Sequence, residues 1–558
     1  MPLMGSLYIG NSGLTTSQNA LNTTAHNISN ADTTGYVRQQ VLQSTSIYNT
    51  INVNYKAVSS QQIGLGVTYA KTRQVRDYFL DQTYRRESGR SAFYEVSSDA
   101  LGEVENLLDE MNGESFQDSI KDLWTAVQEL AKDPGSAVTQ GLLVERCSEF
   151  LSRSQSVYNG LITYQSNLND TVKSKVDTIN DYAKKIKELN DEIRYIEAGG
   201  FESANDLRDA RNQLVDELSA MANINYSEDI DGSVCIQLEG EDLVKRDVVY
   251  QILLDTDPKT GFYTPFWEQN AKFTLDENGK RQYDSTGAEV FDLNKIISSD
   301  LNTDIGSLKS AILARGDHIA NYTDLTTENY DNSVSQSVVM NIQAEFDQLI
   351  HNITTTMNDI LYQNADPKTG YLCNSDGSPI QIFQKIASEP YLKDANGNYQ
   401  LNADGKPIRA EEDEDVIESL YTTSNLIINQ QLLQQPTRLG FVKADGSVDF
   451  DTMAQIKAAF TAENSTLNPN VKKKSSFVDY YSDLVSQVAN SGAVYKSIVS
   501  NQQETVDATF SAREQIVGVS QDEELTNMVK FQNAYNAASR YINVVDDMLE
   551  HIINTLAV

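Results

Sequence analysis

Cysteine is scarce in this chain: among its 558 residues only Cys147, Cys235 and Cys373 occur, far apart and odd in number. That excludes a disulfide framework and a CxxC metal site, and each is read as a small buried hydrophobe. Long apolar runs are missing too. The best, around Val248 to Leu254, is short and interrupted by Tyr250 and Gln251, so no membrane insertion is expected. Basic residues are few, 44 Lys+Arg against 79 Asp+Glu, for a formal charge of −35. Such a surplus repels phosphate backbones and anionic lipid, which disfavours nucleic acid as a partner. The first positive side chain is Arg38, preceded by Asn-, Ser- and Thr-rich sequence without the basic start and apolar core of a secretory signal. If the chain leaves a cell, it is expected to do so without a cleaved signal of that kind.

Catalytic signatures are equally sparse. The four histidines, His26, His318, His351 and His551, are assigned to different helices, and none stands in an HExxH arrangement. There is no GxSxG and no phosphate loop, and Gly64-Leu65-Gly66 lacks the third glycine of a dinucleotide fingerprint. The acidic run Glu411 to Asp415 reads as a solvated loop. The Asp394 to Asp404 stretch places Tyr399 where a calcium loop needs a sharp-turn glycine, so hairpin turns are the simpler account. No enzyme activity, catalytic residue, cofactor or metal is expected.

What is present is helical periodicity. From Ser520-Gln521-Asp522-Glu523, which has capping-box spacing, apolar residues recur three and four apart: Met528, Phe531, Tyr535, Ala538, Ile542, Val545, Leu549, Ile552 and Leu556. The N-terminal segment carries a thinner stripe, Leu7, Leu14, Leu21 and Ile28, with Asn11, Gln18 and Ala25 completing it. The two are expected to pair as coiled-coil helices too poor in partners to fold alone, with further surface supplied by other subunits, so that self-assembly is coupled to folding of the N- and C-terminal helices. Helical stripes also run from Leu161 to Ile196, ending at Gly199-Gly200. Leu207, Leu214, Leu218 and Met221 mark another, followed by Val338 to Leu361 and Phe477 to about Gly518.

Between the helices the period changes to two. Ile224 and Tyr226, then Val234, Ile236 and Leu238, flank Asp231-Gly232, a strong hairpin signal. Similar turn pairs occur at Asn278-Gly279, Asn396-Gly397, Asp404-Gly405 and Asp445-Gly446. Asp257-Pro258-Lys259-Thr260-Gly261 is repeated as Asp366-Pro367-Lys368-Thr369-Gly370, explained by a duplicated module or by a shared loop type. The expected class is α+β and multidomain: an elongated discontinuous helical bundle with paired terminal helices and inserted β-rich outer domains. The expected division is 1–48 with 518–558 as terminal helices and 49–222 with 301–362 and 466–517 as the bundle. Residues 223–300 form a β-rich domain, and 363–465 a mixed insertion.

The N-terminal helix is followed by Ser29-Asn30-Ala31-Asp32-Thr33-Thr34-Gly35-Tyr36. Asn30 or Asp32 can close the helix, Gly35 can take a positive φ, and Tyr36 can anchor the emerging chain. The segment Leu7 to Tyr36, with motif residues Asn30, Ala31, Thr33, Gly35 and Tyr36, resembles the N-terminal signature of the flagellar axial proteins. The family often has Pro where this chain has Thr34. Asn205 to Ser219 resembles the helix before the β-rich domain of the hook-associated protein 1 (FlgK) family. Thr422 to Asn429 is similar to that family's return into the bundle, and Gly518 to Leu549 to its C-terminal helix.

The resemblance implies a structural protein of the bacterial flagellum, needed for motility and secreted through the flagellar type III export apparatus. Such a protein self-assembles as a ring on the distal end of the hook. It implies as partners the hook protein, the second hook-filament junction protein and a cytoplasmic export chaperone. Its place would be extracellular, at the hook-filament junction, after a transient cytoplasmic stage. Leu7, Leu14, Leu21, Ile28, Met528, Phe531, Tyr535, Ile542, Val545, Leu549 and Ile552 are the expected axial-assembly residues. Phe531, Tyr535, Ile542, Val545 and Leu549 are expected to be shared with the chaperone. The alternatives are a hook or rod protein, disfavoured by the Asn205 to Ser219 helix, or a secreted enzyme on an axial scaffold with its site in the insertion.

Overall fold

The periodic segments become long helices in the computed structural model, which describes residues 2–54, 59–108, 116–200, 202–276, 279–414, 416–443 and 445–556. Asn278 and Asp415, named above, lie outside the described residues. The chain opens with α1 (Pro2–Ser29). Four strands follow: β1 (Gln39–Thr45), β2 (Tyr48–Asn54), β3 (Ser59–Gly64) and β4 (Val67–Gln74). β1 pairs antiparallel with β4 and β2 with β3, so this stretch, expected to belong to the terminal helices up to 48 and to the helical bundle from 49, is instead a two-stage hairpin. It lies against α1. Gly66, at φ +97, turns the chain beside Ile9 and Ser12, whose Oγ accepts the Val67 N–H at 3.3 Å.

The body begins with α2 (Tyr78–Leu108), α3 (Phe116–Lys132), α4 (Ala137–Glu197) and α5 (Asn205–Met221). At 61 residues, α4 is about 90 Å long and is the spine of the molecule. It starts well before Leu161, where the apolar stripe was first read. Its buried face includes Gln140, Ser154, Gln165, Asn169 and Asn190, polar positions that interrupt an apolar pattern without interrupting the helix.

Strands β5 (Ile224–Glu228), β6 (Val234–Leu238), β7 (Glu241–Lys245) and β8 (Val248–Val249) make an antiparallel sheet in that order, with Gly232 at φ +83 in the first turn. Two hairpins follow, β9 (Ile252–Thr256) with β10 (Tyr263–Trp267) and β11 (Lys272–Leu275) with β12 (Arg281–Asp284). Then come α6 (Ser307–Arg315), α7 (Val338–Asn364), the short strands β13 (Phe383–Lys385) and β14 (Leu426–Ile428), and α8 (Phe450–Thr461). α9 (Phe477–Val517) and α10 (Gln521–Leu556) complete the chain.

Two main cores lie along α4. One buries its first half with α2, α3, α7 and the start of α9, and takes Ile382, Phe383, Leu426, Phe441 and Phe460 from the 363–465 stretch. The other joins its second half to α5, α6 and the β-rich stretch through Val172, Ile186, Leu218, Ile236 and Trp267. The repeated Asp-Pro-Lys-Thr-Gly segments have one geometry: Asp257 and Asp366 each accept a backbone N–H at 3.0 Å and a threonine hydroxyl at 2.8 Å. The first closes the β9–β10 hairpin and the second follows α7, so a shared turn accounts for both. Only Cys147 is fully buried; Cys235 and Cys373 are half-buried, because they sit on open faces of small sheets and turns. His318 lies in the loop after α6 rather than on a helix, because Gly316, at φ +78, ends the helix first. There burial disfavours its charged form, yet hydrogen bonds to Asp317 and Asp324 outweigh it and raise its pKa to about 10.

Candidate assembly interface at the terminal helices

α1 and α10 pack along each other. On α1 the face turned inward is made of small residues: Gly10, Thr16, Ser17, Ala20, Thr24 and Asn27 are its buried positions. Gly10, Gly13, Ser17, Ala20, Thr24 and Asn27 repeat three and four apart, a coiled-coil register written in small side chains. A Cβ on Gly10 would come within 2.7 Å of Ile542, and one on Gly13 within 3.6 Å of Ala538, so the backbones approach closely. The buried hydroxyls of Thr16 and Ser17 donate back to the carbonyls of Ser12 and Gly13, each at 2.8 Å, and need no partner across the interface.

Leu7, Leu14, Leu21 and Ile28 are half-buried along the rim of this seam rather than in it, and Asn11, Gln18 and Ala25 are exposed. Leucines flanking a small-residue seam give the same seven-residue repeat as leucines inside one. On α10, Met528, Phe531, Tyr535, Ala538, Ile542 and Leu549 are partly covered and Val545 is buried; Ile552 is 38% exposed. Apolar side chains on its two flanks are open: Leu525, Val529 and Ile553 on one side of the seam and Tyr541, Val544 and Met548 on the other, each more than two-fifths exposed, as are Met4 and Tyr8 of α1.

The pair is tied to the body by polar contacts. Asn27, buried at the end of α1, donates to the Gln39 carbonyl at 2.9 Å and accepts the Gln39 N–H at 3.0 Å, closing β1 onto the helix. The same amide accepts the Tyr36 hydroxyl at 2.7 Å and donates to Glu524 at 3.2 Å. The motif loop shapes this contact: Thr33 N–H donates to Asn30 O, Asn30 Nδ2 to His26 O, and Gly35 takes φ +79. Arg38 then reaches Glu523 at 3.0 Å and Glu524 at 3.8 Å, while its backbone N–H donates to Val517 O at 2.8 Å. Glu523 is thereby engaged with Arg38, and its N–H lies 3.5 Å from Ser520 Oγ, so the anticipated capping box is half formed.

Beneath the loop, Asp209 of α5 accepts the Val37 N–H at 3.2 Å and Gln74 Nε2 at 2.7 Å, and burial pushes its pKa up to about 7. Arg513 near the end of α9 bridges Asp81 at 3.1 Å and Asp216 at 2.7 Å; Arg76 pairs with Asp81 and Arg85 with Asp216. Burial and the nearby Asp209 carboxyl raise the Tyr36 phenol. The face of α5 turned inward is thus Asn205, Asp209, Arg211, Val215, Leu218 and Ser219, not the one marked by Leu207 and Leu214. Asn27, Arg38, Asp209, Arg513 and Glu524 escaped the sequence reading. The signal that could have found Asn27 is its place as the last member of the small-residue register.

A long N- and C-terminal helix pair, joined to a helical body through an Asn-Ala-x-Thr-x-Gly-Tyr loop, is the architecture of a flagellar axial protein. Residues 7–36 match the flagella basal body rod protein family and residues 515–555 the flagellar basal body rod FlgEFG protein C-terminal family. Residues 101–371 match the flagellar hook-associated protein FlgK helical domain. Proteins named flagellar hook-associated protein 1 are similar over nearly full length. That of Bacillus subtilis is 24% identical, covering 98% of this chain and 97% of its own. That of Escherichia coli is 23% identical, covering 97% and 98%. A solved structure, of the flagellar hook junction protein FlgK from Burkholderia pseudomallei, shares the fold at a TM-score of 0.53 and 11% identity, covering 80% of this chain and 100% of that one. The chain belongs to the flagellar hook-associated protein 1 (FlgK) family.

Proposed function

We propose that this chain is a structural component of the flagellum that forms the hook-filament junction on the distal end of the hook. The observation that carries the reading is the terminal helix pair: one seam is closed within the chain, while apolar side chains on both flanks of it, Leu525, Val529 and Ile553 on one side and Tyr541, Val544 and Met548 on the other, are left open. Open apolar flanks on a helix supported mainly by one partner are completed by neighbouring copies. Because α1 and α10 already cover each other, assembly completes a preformed pair rather than folding two isolated ends. Met528, Phe531, Tyr535, Ile542, Val545, Leu549 and Ile552, with the rim leucines of α1, carry axial packing. The hook protein and the second junction protein are the neighbours below and above.

Before export the open flanks need cover, which gives the chaperone a target on α10. Phe531, Tyr535, Ile542, Val545 and Leu549 are reachable there once α1 lifts away. The family is structural, and the chain acts through packing. Its place is the flagellum, outside the cell after passage through the type III apparatus. The test is end-on labelling: gold-tagged chain is added to isolated hooks lacking filaments and imaged by electron microscopy. Label at the distal tip is the expected result. Label along the hook's sides, or none with wild type and with a deletion of 521–556 alike, overturns the reading.

A further inference from the structure

A cleft of about 320 Å³ lies between the start of α2, the end of α5 and β5, beside the root of the terminal pair. Gln82, Arg85, Arg86, Asn223, Asn225 and Tyr226 are among its walls, and among the described residues none of its lining side chains is a carboxylate. In a chain with 79 acidic and 44 basic residues, a cleft walled by two arginines and neutral amides is a local exception to the molecule's charge.

Its walls also hold unused hydrogen-bonding capacity. Arg85, 3% exposed, donates from Nε to Asp216 at 2.6 Å and from Nη2 to Asn212, and its guanidinium stacks 4.2 Å over the Tyr226 ring. Among the described residues its Nη1 has no hydrogen-bond partner, and neither does the buried Tyr226 hydroxyl. A buried cationic donor left unmatched is costly and therefore calls for an acceptor. Arg86 spends its Nε on Glu87 at 2.9 Å and is otherwise half exposed at the rim. A fork of guanidinium donors with a phenol matches a planar carboxylate, and the volume suits one side-chain carboxyl with water rather than a large cofactor.

We propose that this cleft receives an Asp or Glu carboxylate from a neighbouring copy of the chain. The proposal rests on the junction reading for its source: copies brought together by the terminal helices present one another with a strongly acidic surface. The contact would fix how one body sits against the next, a task the smooth helix stripes perform poorly.

The test has two arms. In the first, the full-length chain is titrated with glutarate against sodium chloride at matched ionic strength, and deuterium uptake is followed in peptides covering 82–86 and 222–226. Glutarate should slow uptake there, with a midpoint about tenfold higher in Arg86→Gln. Asn225→Ala, an exposed substitution away from the buried ion pairs, should raise it as well. No slowing in wild type, or unchanged midpoints in both variants, overturns the site. In the second arm, a photocrosslinking residue at position 225 is carried into assembled flagella and the adduct mapped by mass spectrometry with isotopically mixed copies. A crosslink to an Asp- or Glu-bearing peptide of a second copy is expected; a crosslink only to another protein, or only within one copy, overturns the assigned source. Failure to incorporate overturns the junction reading and the neighbour with it, while the glutarate arm still decides the cleft.

Discussion

At Asn190 a primary amide does the work of a neighbouring strand. Its Nδ2 donates to Val234 O at 2.9 Å, and its Oδ1 accepts from Val234 N at 3.1 Å and from Arg211 at 2.9 Å. Asn169 grips Gly261 and Tyr263 in the same way, Asn180 grips both peptide groups of Ile252, and Asn27 those of Gln39. Three of the four stand on α4, so the β-rich stretch is stitched to the spine by amides. Replacing Asn190 with Ala leaves a buried N–H, a carbonyl and an arginine short of partners. A loss of about 2–4 kcal/mol is expected in urea unfolding, with a smaller loss for Asn180→Ala, whose site is more open. Glu345 poses the opposite problem, a carboxyl with no cationic partner among the described residues. Burial raises its pKa from 4.5 to about 7 against the hydrogen bonds of Asn468 and Gln487. A folded pKa above the unfolded one means the native state holds the proton more tightly. The contribution is then full below about 4.5 and is lost as pH rises through about 7. Asp347, raised to about 6 by burial, has the same sign. Stability measured by denaturant midpoint should therefore fall between pH 5 and 7 in wild type, and that slope should shrink in Glu345→Gln; an undiminished slope would refute the assignment.

For whole elements, the seam of α1 shows what sequence periodicity conveys and what it hides. Long apolar stripes made α7, α9, α10 and the second half of α4 legible, and Asp231-Gly232 located the first hairpin. α1 was read as a helix with the right repeat but the wrong face, because its leucines line the rim and glycine, serine and threonine fill the contact. α2 left little apolar pattern, since its buried side includes Asp81, Arg85 and Glu87, whose burial is tolerable only beside ion partners: Arg76 and, from α9, Arg513 for Asp81, Asp216 of α5 for Arg85, and Arg86 and Arg90 of α2 itself for Glu87. β1 to β4 are strands rich in Gln, Ser, Thr and Asn, of which β1 and β4 lie against α1. The assembly hub was invisible for the same reason: Asn27, Asp209 and Glu524 acquire meaning only when elements distant in sequence meet. Close backbone approach predicts that Gly10→Val forces α1 off α10. Hydrogen exchange should then accelerate across 5–29 and 521–556 while α3, α4 and α7 keep their protection. Unchanged exchange in the terminal helices would show that the seam does not depend on Gly10.

In the whole molecule two electrostatic scales oppose each other. A formal charge of −35 on every copy makes bringing copies together unfavourable at long range. The contacts that join them are short-range: the open apolar flanks of α10 and a cleft whose donors are shielded by protein. Salt acts on the first far more than on the second, because the Debye length falls from about 30 Å at 0.01 M to about 8 Å at 0.15 M while desolvated contacts are screened little. Addition of the chain to hook ends should therefore speed up with sodium chloride over that range. Once assembled, the ring should not dissociate faster at the higher salt. The measurement is the time course of labelled chain binding to isolated hooks, followed by washing at each salt. If binding slows as salt rises, opposite charges on hook and chain must be steering the encounter. The acidic surplus would then serve recognition of a basic hook surface rather than acting as a barrier that the apolar contacts overcome.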